Sequence, residues 1–201
     1  MLEFIVASVL LTLLPGPDIL FVIAQSVTQG KKSAIIFVLG LCTGLLFHIS
    51  AAAFGISLII YNSPLAFDIV KYAGAAYLIY LGILAVKDRK KDAFPLDLKN
   101  KKTVNKIYRK GILMNVLNPK VSLFFLAFLP QFINPEQGEA YWQILLLGGI
   151  FILQAFFIFS LVAWISDRLS FKLMQNKKIS TGVFLAKAIL FFGIGLQLIF
   201  G

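Results

Sequence analysis

The sequence has 201 residues, of which 59% are hydrophobic and only 14% are charged, with a mean hydropathy of +0.89 and a formal net charge of +10. Soluble domains have about a quarter of their residues charged, so this composition excludes a purely soluble protein and indicates an integral membrane protein. The single cysteine, Cys42, excludes an internal disulfide and a Cys-x-x-Cys redox pair. Glu3 stands where a signal peptide carries basic residues, so a cleaved leader is not expected.

Six apolar segments are long enough to cross a bilayer, which takes about 20 residues per helix. In chain order they cover residues 3–27, 34–60, 65–86, 107–133, 142–165 and 183–200. The sequence therefore predicts an all-α membrane protein with one transmembrane domain. A first repeat covers residues 1–88, a basic loop covers 87–106, and a second repeat covers 105–201.

The first segment is interrupted in its middle by Pro15, Gly16, Pro17 and Asp18. Proline lacks an N–H and disfavours helix in the residue before it, so Pro17 is expected to begin a new half-helix. That helix start presents free amides and the positive end of a helix dipole. Unwound backbone in the middle of a membrane is tolerated only where protein buries it or where it lines a water-filled cavity. The break therefore predicts a polar site within the bilayer.

The second segment contains the only histidine, His48, on the helix face that also carries Gly40 and Gly44. Small residues at this four-residue spacing allow two helices to pack closely. Histidine titrates near neutral pH, so His48 is either a proton carrier or a hydrogen-bonded packing residue. Packing is the preferred interpretation.

Basic residues mark one side of the membrane. The loops after the first, third and fifth segments, with their flanks, carry sixteen Lys or Arg residues, whereas the other two loops and both termini carry none. Because cytoplasmic loops are rich in Lys and Arg, we expect these three loops in the cytoplasm and both termini outside it, in the cytoplasmic (inner) membrane. Orientation and attraction to anionic lipid then account for the positive charge without nucleic-acid binding.

The fourth segment has its own break at Asn118, Pro119 and Lys120, with Asn118 as the expected N-cap. Pro119 follows Pro17 by 102 residues, so each break falls in the first helix of a three-helix unit. An odd number of helices inverts the second unit relative to the first. Inverted repeats with matching broken helices are typical of transporters that bind substrate near the bilayer midplane. We therefore expect the two breaks to approach each other there.

Asp18 and Lys120 follow the two prolines at equivalent positions. Each ionised side chain at mid-membrane costs about 2.5–3.5 kcal/mol, so the pair is an unusual feature. Opposite charges indicate a zwitterionic ligand, such as an amino acid, with Lys120 binding its carboxylate and Asp18 binding its α-ammonium or an exchanging proton. The alternative is that the two residues only neutralise each other across a packed interface, which is a weak source of stability.

Other polar residues in the spans have simpler interpretations. Gln154, in the fifth segment, either lines the cavity or bridges two helices. Gln131 is expected at the outer rim of the fourth segment. Lys187, in the sixth, is expected to extend its ammonium group toward the cytoplasmic interface. The many phenylalanines are interpreted as lipid-facing or packing residues.

Four stretches carry a family resemblance: LLPGPDILFVIAQS, GLCTGLLFHISAAAFGI, AAYLIYLGI and MNVLNPKVSLFFLAFLPQF. Together they resemble the LysE superfamily of amino-acid exporters, most closely its RhtB, or threonine-homoserine, branch, over nearly the whole chain. The resemblance implies efflux of amino acids or their derivatives driven by the proton motive force. It carries a functional role over to the motif positions Pro17, Asp18, Asn118, Pro119, Lys120 and, less firmly, His48.

Three other functions fit the sequence less well. An exporter of a metal or other inorganic cation would need several carboxylate, His or Cys ligands in the membrane, and Lys120 would repel a cation. A membrane enzyme is not expected because no catalytic motif is present. A structural protein would give no reason for two broken helices. The sequence therefore predicts no cofactor, no metal and no nucleic-acid partner; the expected partners are an amino acid, protons and lipid, and a homo-oligomer is possible.

Overall fold

The computed structural model describes residues 1–62, 64–87 and 103–168, together with nine positions between 181 and 199. Its elements are all helical in these ranges. The helices are α1 (Leu2–Leu13), α2 (Pro17–Gln29), α3 (Lys31–Asn62), α4 (Pro64–Lys87), α5 (Val104–Val116), α6 (Pro119–Leu123) and α7 (Ala140–Ser166). A π-helical turn (Phe124–Phe128) and a 3-10 turn (Leu129–Phe132) continue α6, and a second 3-10 turn (Pro135–Gln137) precedes α7.

The described part of the chain contains two helices that could each span a membrane, or up to four candidate spans if each bent pair counts as one. Lys31–Gly55 of α3 and Ala140–Ser166 are long and apolar enough to cross a bilayer alone, and the pairs α1–α2 and α5–α6 each qualify as one broken span. Helix α4 covers the third predicted segment, with an apolar stretch at Tyr72–Lys87. The sixth predicted segment, with Lys187, and most of the basic loop lie largely outside the described residues. The full six-helix repeat therefore stays a prediction.

Both predicted helix breaks are present. The chain bends by 54° between α1 and α2 and by 46° between α5 and α6. Pro17 and Pro119 each occupy the first turn of the second half-helix, where their missing N–H groups need no partner. Two residues after α5, Asn118 caps α6 through its side chain, as expected. The breaks therefore arise from the proline and cap chemistry that the sequence indicates.

Helix α3 forms the centre of the bundle, with α5 on one side and α7 on another. Gly40 of α3 and Gly111 of α5 bring the two backbones close, because a Cβ on Gly111 would lie 3.0 Å from the Cα of Gly40. Farther along α3, Gly44 lies against Asn115. The glycine face predicted beside His48 is thus the face that packs on α5, and it fixes the position of the second break.

The second half of the fourth span differs from the regular helix that the sequence predicts. Beyond Leu123 the backbone widens into the π turn and then tightens into the 3-10 turn that contains Pro130. Pro130 provides no N–H for the carbonyl of Leu126, so a regular α-helical ladder is interrupted there. The irregular backbone is covered by a phenylalanine cluster with ring centroids 5.1–6.0 Å apart, formed by Phe4, Phe124, Phe125, Phe128, Phe132 and Phe151.

The turn between α2 and α3 is a single residue rather than the longer basic loop that the sequence indicates. Gly30 takes the left-handed region, with φ of 82°, and its N–H bonds the Ser26 carbonyl at 2.9 Å. Lys31 already belongs to the first turn of α3, and its backbone N–H donates to Asp167 Oδ1 at 2.9 Å. This contact joins the end of α7 to the start of α3 and closes one end of the bundle.

Candidate functional site

The two helix breaks meet inside the protein. Asn118 Nδ2 donates to Asp18 Oδ2 at 2.8 Å, across 100 residues of sequence. Lys120 Nζ donates to the carbonyl oxygens of Leu11 at 3.0 Å and Leu14 at 3.4 Å, at the end of α1. Each break thus supplies a polar side chain to the other. The approach expected from the Pro17 and Pro119 motifs is observed.

Asp18 lies in the first turn of α2 and is only 2% exposed. The positive end of the α2 dipole and the attraction of Lys120 both favour its carboxylate form, whereas burial opposes it. Asn115 adds a polar contact beside the carboxylate. Within the described residues, Oδ1 makes no hydrogen bond of ordinary length, although it is buried. A ligand donor would therefore meet Asp18 on the side of Oδ1, next to Asn115.

Asn118 links two functions of the second break. Its Oδ1 accepts the backbone N–H of Lys120 at 3.1 Å, which caps α6, while its Nδ2 holds Asp18. An amide is suited to this position because it accepts with one atom and donates with the other. Asn118 is 2% exposed, so both bonds are shielded from solvent.

Lys120 is also buried, at 3% exposure, and its side chain extends back toward α1. Gly16, the N-cap of α2, is buried beside the ammonium, since a Cβ there would lie 3.1 Å from Nζ. A glycine at position 16 therefore gives the ammonium its space. The rings of Pro17 and Pro119 are exposed and do not enter the site, so these prolines act through the backbone breaks that they create.

A cavity opens at the meeting point of the two breaks. Its polar lining comes from Thr12, Asp18, Asn115 and Lys120, and the remaining lining is apolar and includes Phe151. The cavity is narrow, with a free volume of about 10 Å³, enough for one water molecule. A carboxylate and an ammonium at one cavity with apolar walls are groups that recognise a small molecule carrying opposite charges, and the cavity must widen to admit such a molecule. Among the described residues, no three His, Cys, Asp or Glu side chains are grouped as metal ligands.

His48 is 4% exposed and does not line this cavity. Its Nε2 lies 3.0 Å from the carbonyl oxygen of Asn115, at the end of α5, and its ring stacks on Phe125. A carbonyl oxygen only accepts, so Nε2 carries the hydrogen in this bond. His48 therefore makes a buried hydrogen bond and a ring contact one layer behind the cavity.

Gln154 bridges helices rather than lining the cavity. Its Nε2 donates to Thr12 Oγ1 at 2.8 Å and to the Ser8 carbonyl at 3.4 Å, so it joins α7 to α1. Thr12 in turn donates to the Ser8 carbonyl at 2.8 Å. The bridge supports the wall of the cavity to which Thr12 belongs. Gln131 is half-buried and donates to the Ala127 carbonyl at 3.4 Å, within its own turn.

Two site residues were missed by the sequence analysis. Asn115 and Thr12 both line the cavity, yet neither belongs to a proline motif. The sequence could have indicated Asn115, because it precedes Asn118 by three residues. At this spacing two side chains lie on the same face of a helix, so both amides are expected near the break. Thr12 gave no such signal, since threonine hydroxyls are commonly satisfied by their own helix.

The chain was compared with known proteins. Residues 9–201 match the LysE type translocator family. An uncharacterized membrane protein YrhP of Bacillus subtilis is 31% identical over 98% of this chain and 97% of its own length. No solved structure matches the chain.

Two relatives have names that state a substrate. Both are named homoserine/homoserine lactone efflux protein. The one from Salmonella typhimurium is 37% identical to this chain, over 72% of this chain and 69% of its own length. The one from Salmonella typhi is 33% identical, over 83% of this chain and 80% of its own length. These matches confirm the resemblance to the RhtB branch that the sequence motifs carry. The chain belongs to the LysE type translocator family and is a membrane transporter rather than an enzyme.

Proposed function

We propose that this protein exports amino acids or amino-acid derivatives across the cytoplasmic membrane in exchange for protons. The observation that carries the proposal is the buried meeting of Asp18 and Lys120 at one cavity between two helix breaks. Family membership supports the transport class, and the charge pair supports a substrate with its own charges. An inorganic cation is a poorer fit, because the Lys120 ammonium beside Asp18 would repel it.

The α-ammonium is the group that we expect the site to bind in every substrate. Two relatives are named for efflux of both homoserine and its lactone. Those two molecules share an α-ammonium, but the lactone has no carboxylate. A site that accepts both must therefore rely on the ammonium, which matches the buried acceptor oxygen of Asp18. The carboxylate contact with Lys120 that the sequence suggests is therefore not needed for export of the lactone.

Proton coupling follows from the same carboxylate in this proposal. The substrate ammonium and a proton compete for Asp18, so the two occupy it alternately. Protonation from the outside releases the ammonium, and loss of that proton to the cytoplasm restores the carboxylate for the next substrate. Each cycle then moves one substrate out as a proton moves in, with Asn118 keeping the carboxylate in place.

The orientation that we propose places the basic loops in the cytoplasm and both termini outside it, in the inner membrane. This arrangement presents the cavity to substrate from the cytoplasm in one state and to protons from outside in the other. A reporter enzyme that is active only in the cytoplasm, fused after Gly201, is expected to be silent. Reporter activity at that position would contradict the proposed orientation.

The proposed function is tested with inside-out membrane vesicles that contain the protein. Radiolabelled homoserine, homoserine lactone, threonine, lysine and an inorganic cation are offered outside, with and without an acidic vesicle interior. We expect the pH gradient to drive uptake of homoserine and its lactone, and to leave cation uptake at the level of vesicles without the protein. Uptake of the cation, or no gradient-driven uptake of any amino acid, would overturn the proposal.

A further inference from the structure

Lys120 occupies an unexpected place for a residue at the start of a helix. Its backbone lies in the first turn of α6, but its ammonium lies at the C-terminal end of α1 in the other half of the chain. There it bonds the carbonyl of Leu11 at 3.0 Å and that of Leu14, the C-cap, at 3.4 Å. These carbonyls belong to the end of a half-helix. The Leu11 carbonyl also accepts the backbone N–H of Leu14 at 3.2 Å, so Lys120 is a second donor to it.

The end of α1 attracts a cation for a general reason. The last carbonyls of a helix carry the negative end of its dipole, so a positive group there is stabilised. In transporters with broken helices, unwound carbonyls and half-helix C-terminal ends coordinate the coupling sodium ion or proton. In this chain a side chain ammonium already lies against such carbonyls, and a glycine at position 16 leaves room for it.

The surrounding charges favour the same arrangement. At the N-terminal end of α6 the helix dipole disfavours a cation, whereas at the C-terminal end of α1 the dipole favours one. Asp18 balances the ammonium from the start of α2. The long side chain of Lys120 thus places the ammonium at the favourable end of α1 and away from the unfavourable start of α6. The same contact links the two breaks.

We propose that Lys120 is a resident cation that takes the place of a coupling metal ion at the end of α1. The inference rests on the proposed function and deepens it by assigning Lys120 a different role from that of a carboxylate anchor. Lys120 is a positioning residue that holds the broken end of α1 for every substrate. Two consequences follow. Transport needs no sodium, and shortening Lys120 leaves a site for a small monovalent organic cation.

The first experiment removes sodium. Purified protein in proteoliposomes carries homoserine under a pH gradient, with sodium salts replaced on both sides by N-methylglucamine salts. We expect the initial rate to be unchanged. If a bound sodium ion raised the affinity for homoserine tenfold, its removal would lower the rate by about tenfold. A fall of about tenfold or more would therefore show that the site at α1 takes a metal ion and would overturn the inference.

The second experiment separates the two roles of Lys120. Lys120→Met keeps most of the length of the side chain without its charge, Lys120→Arg keeps the charge, and Lys106→Ala removes an exposed lysine of α5 as the control. Initial rates are measured for homoserine and for homoserine lactone. We expect Lys120→Met to lower both rates by the same factor of about tenfold or more, and Lys120→Arg to retain part of both. Loss of homoserine transport with the lactone spared would overturn the inference in favour of a carboxylate anchor.

The third measurement does not depend on transport. Lys120→Ala removes three carbons and the ammonium, which together correspond to n-propylammonium. We expect n-propylammonium to raise the melting temperature of detergent-solubilised Lys120→Ala, and to leave wild type and Lys120→Met unchanged. The neutral 1-propanol should have no effect. If n-propylammonium stabilises all three proteins equally or none of them, the resident-cation role is wrong.

These readouts separate the inference from the proposed function. If wild type carries none of the amino acids offered, the proposed function fails, while the effect of n-propylammonium on melting still decides the inference. If Lys120→Ala does not insert, Lys120→Met and Lys120→Arg decide it through the comparison of the two substrates.

Discussion

Replacing Gly44 by alanine is expected to weaken the contact between α3 and α5 next to the site. Gly44 is buried against Asn115, and a Cβ added there would lie 2.8 Å from Asn115 Cβ and 3.0 Å from the Ile112 carbonyl oxygen. Carbon atoms pack best at about 3.5–4.0 Å, so α5 must move away by about 1 Å. That movement displaces Asn115 from its position beside Asp18.

The size of the effect follows from a matched control in the same helix. Gly55 also lies in α3, but a Cβ there meets nothing within 4 Å in the described structure. Both substitutions stabilise the helix by up to about 1 kcal/mol, because alanine has a higher helix propensity than glycine. Only Gly44→Ala also crowds its neighbours, which costs about 1–3 kcal/mol of folding free energy. The difference between the two variants therefore isolates the packing cost, so Gly44→Ala should be less stable than Gly55→Ala by about 1–3 kcal/mol.

The assay measures equilibrium unfolding of both variants in mixed detergent micelles, together with initial rates of homoserine transport. Gly44→Ala should lose stability relative to Gly55→Ala and should transport about fivefold or more slowly, as expected for a loss of one kcal/mol at the site. Gly55→Ala should match wild type in transport. Equal stability and equal rates for the two variants would refute the close packing of α3 on α5 at Asn115.

Substitutions at two further positions, Asn118 and His48, test the contacts around the site. Asn118→Asp keeps a cap acceptor for α6 but places a second carboxylate against Asp18, whereas Asn118→Ala loses a cap worth about 0.5–2 kcal/mol, so both variants should lose stability and transport. Melting temperatures and homoserine uptake measure both effects. Normal uptake by Asn118→Asp would contradict the contact. His48→Gln keeps a side-chain N–H donor near the Asn115 carbonyl, so it should retain gradient-driven transport. His48→Leu removes the donor to that carbonyl and should destabilise the protein by about 1–3 kcal/mol. Complete loss of gradient-driven uptake in a stable His48→Gln protein would instead indicate that His48 is a proton carrier.

The sequence predicts the breaks and their meeting because both follow from local chemistry. Pro17 and Pro119 have no N–H to donate, and Asn118 is a favourable N-cap, so the half-helix starts are encoded within a few residues. The charges that follow the prolines cannot face lipid at mid-depth, which forces the two breaks toward each other. Asp18 and Asn118 meet accordingly.

Other features depend on packing between distant segments and could not be predicted. The direction of the Lys120 side chain is set by the carbonyls at the end of α1, more than 100 residues earlier. The contact of His48 with the Asn115 carbonyl depends on how closely α3 and α5 approach through their glycines. The π turn at Phe124–Phe128 reflects the local effect of Pro130 together with the phenylalanine packing around it. The hydrophobic pattern of one segment contains no information on these contacts with distant segments.

The central claim is that Asp18 couples substrate export to protons, and Asp18→Asn tests it most directly. Wild type, Asp18→Asn and the exposed control Asp68→Asn are reconstituted in proteoliposomes, and homoserine uptake is measured with a pH gradient and as exchange without one. The account predicts that Asp18→Asn loses gradient-driven uptake while retaining part of the exchange, and that Asp68→Asn behaves as wild type. Full gradient-driven uptake by correctly inserted Asp18→Asn would contradict the coupling role of Asp18.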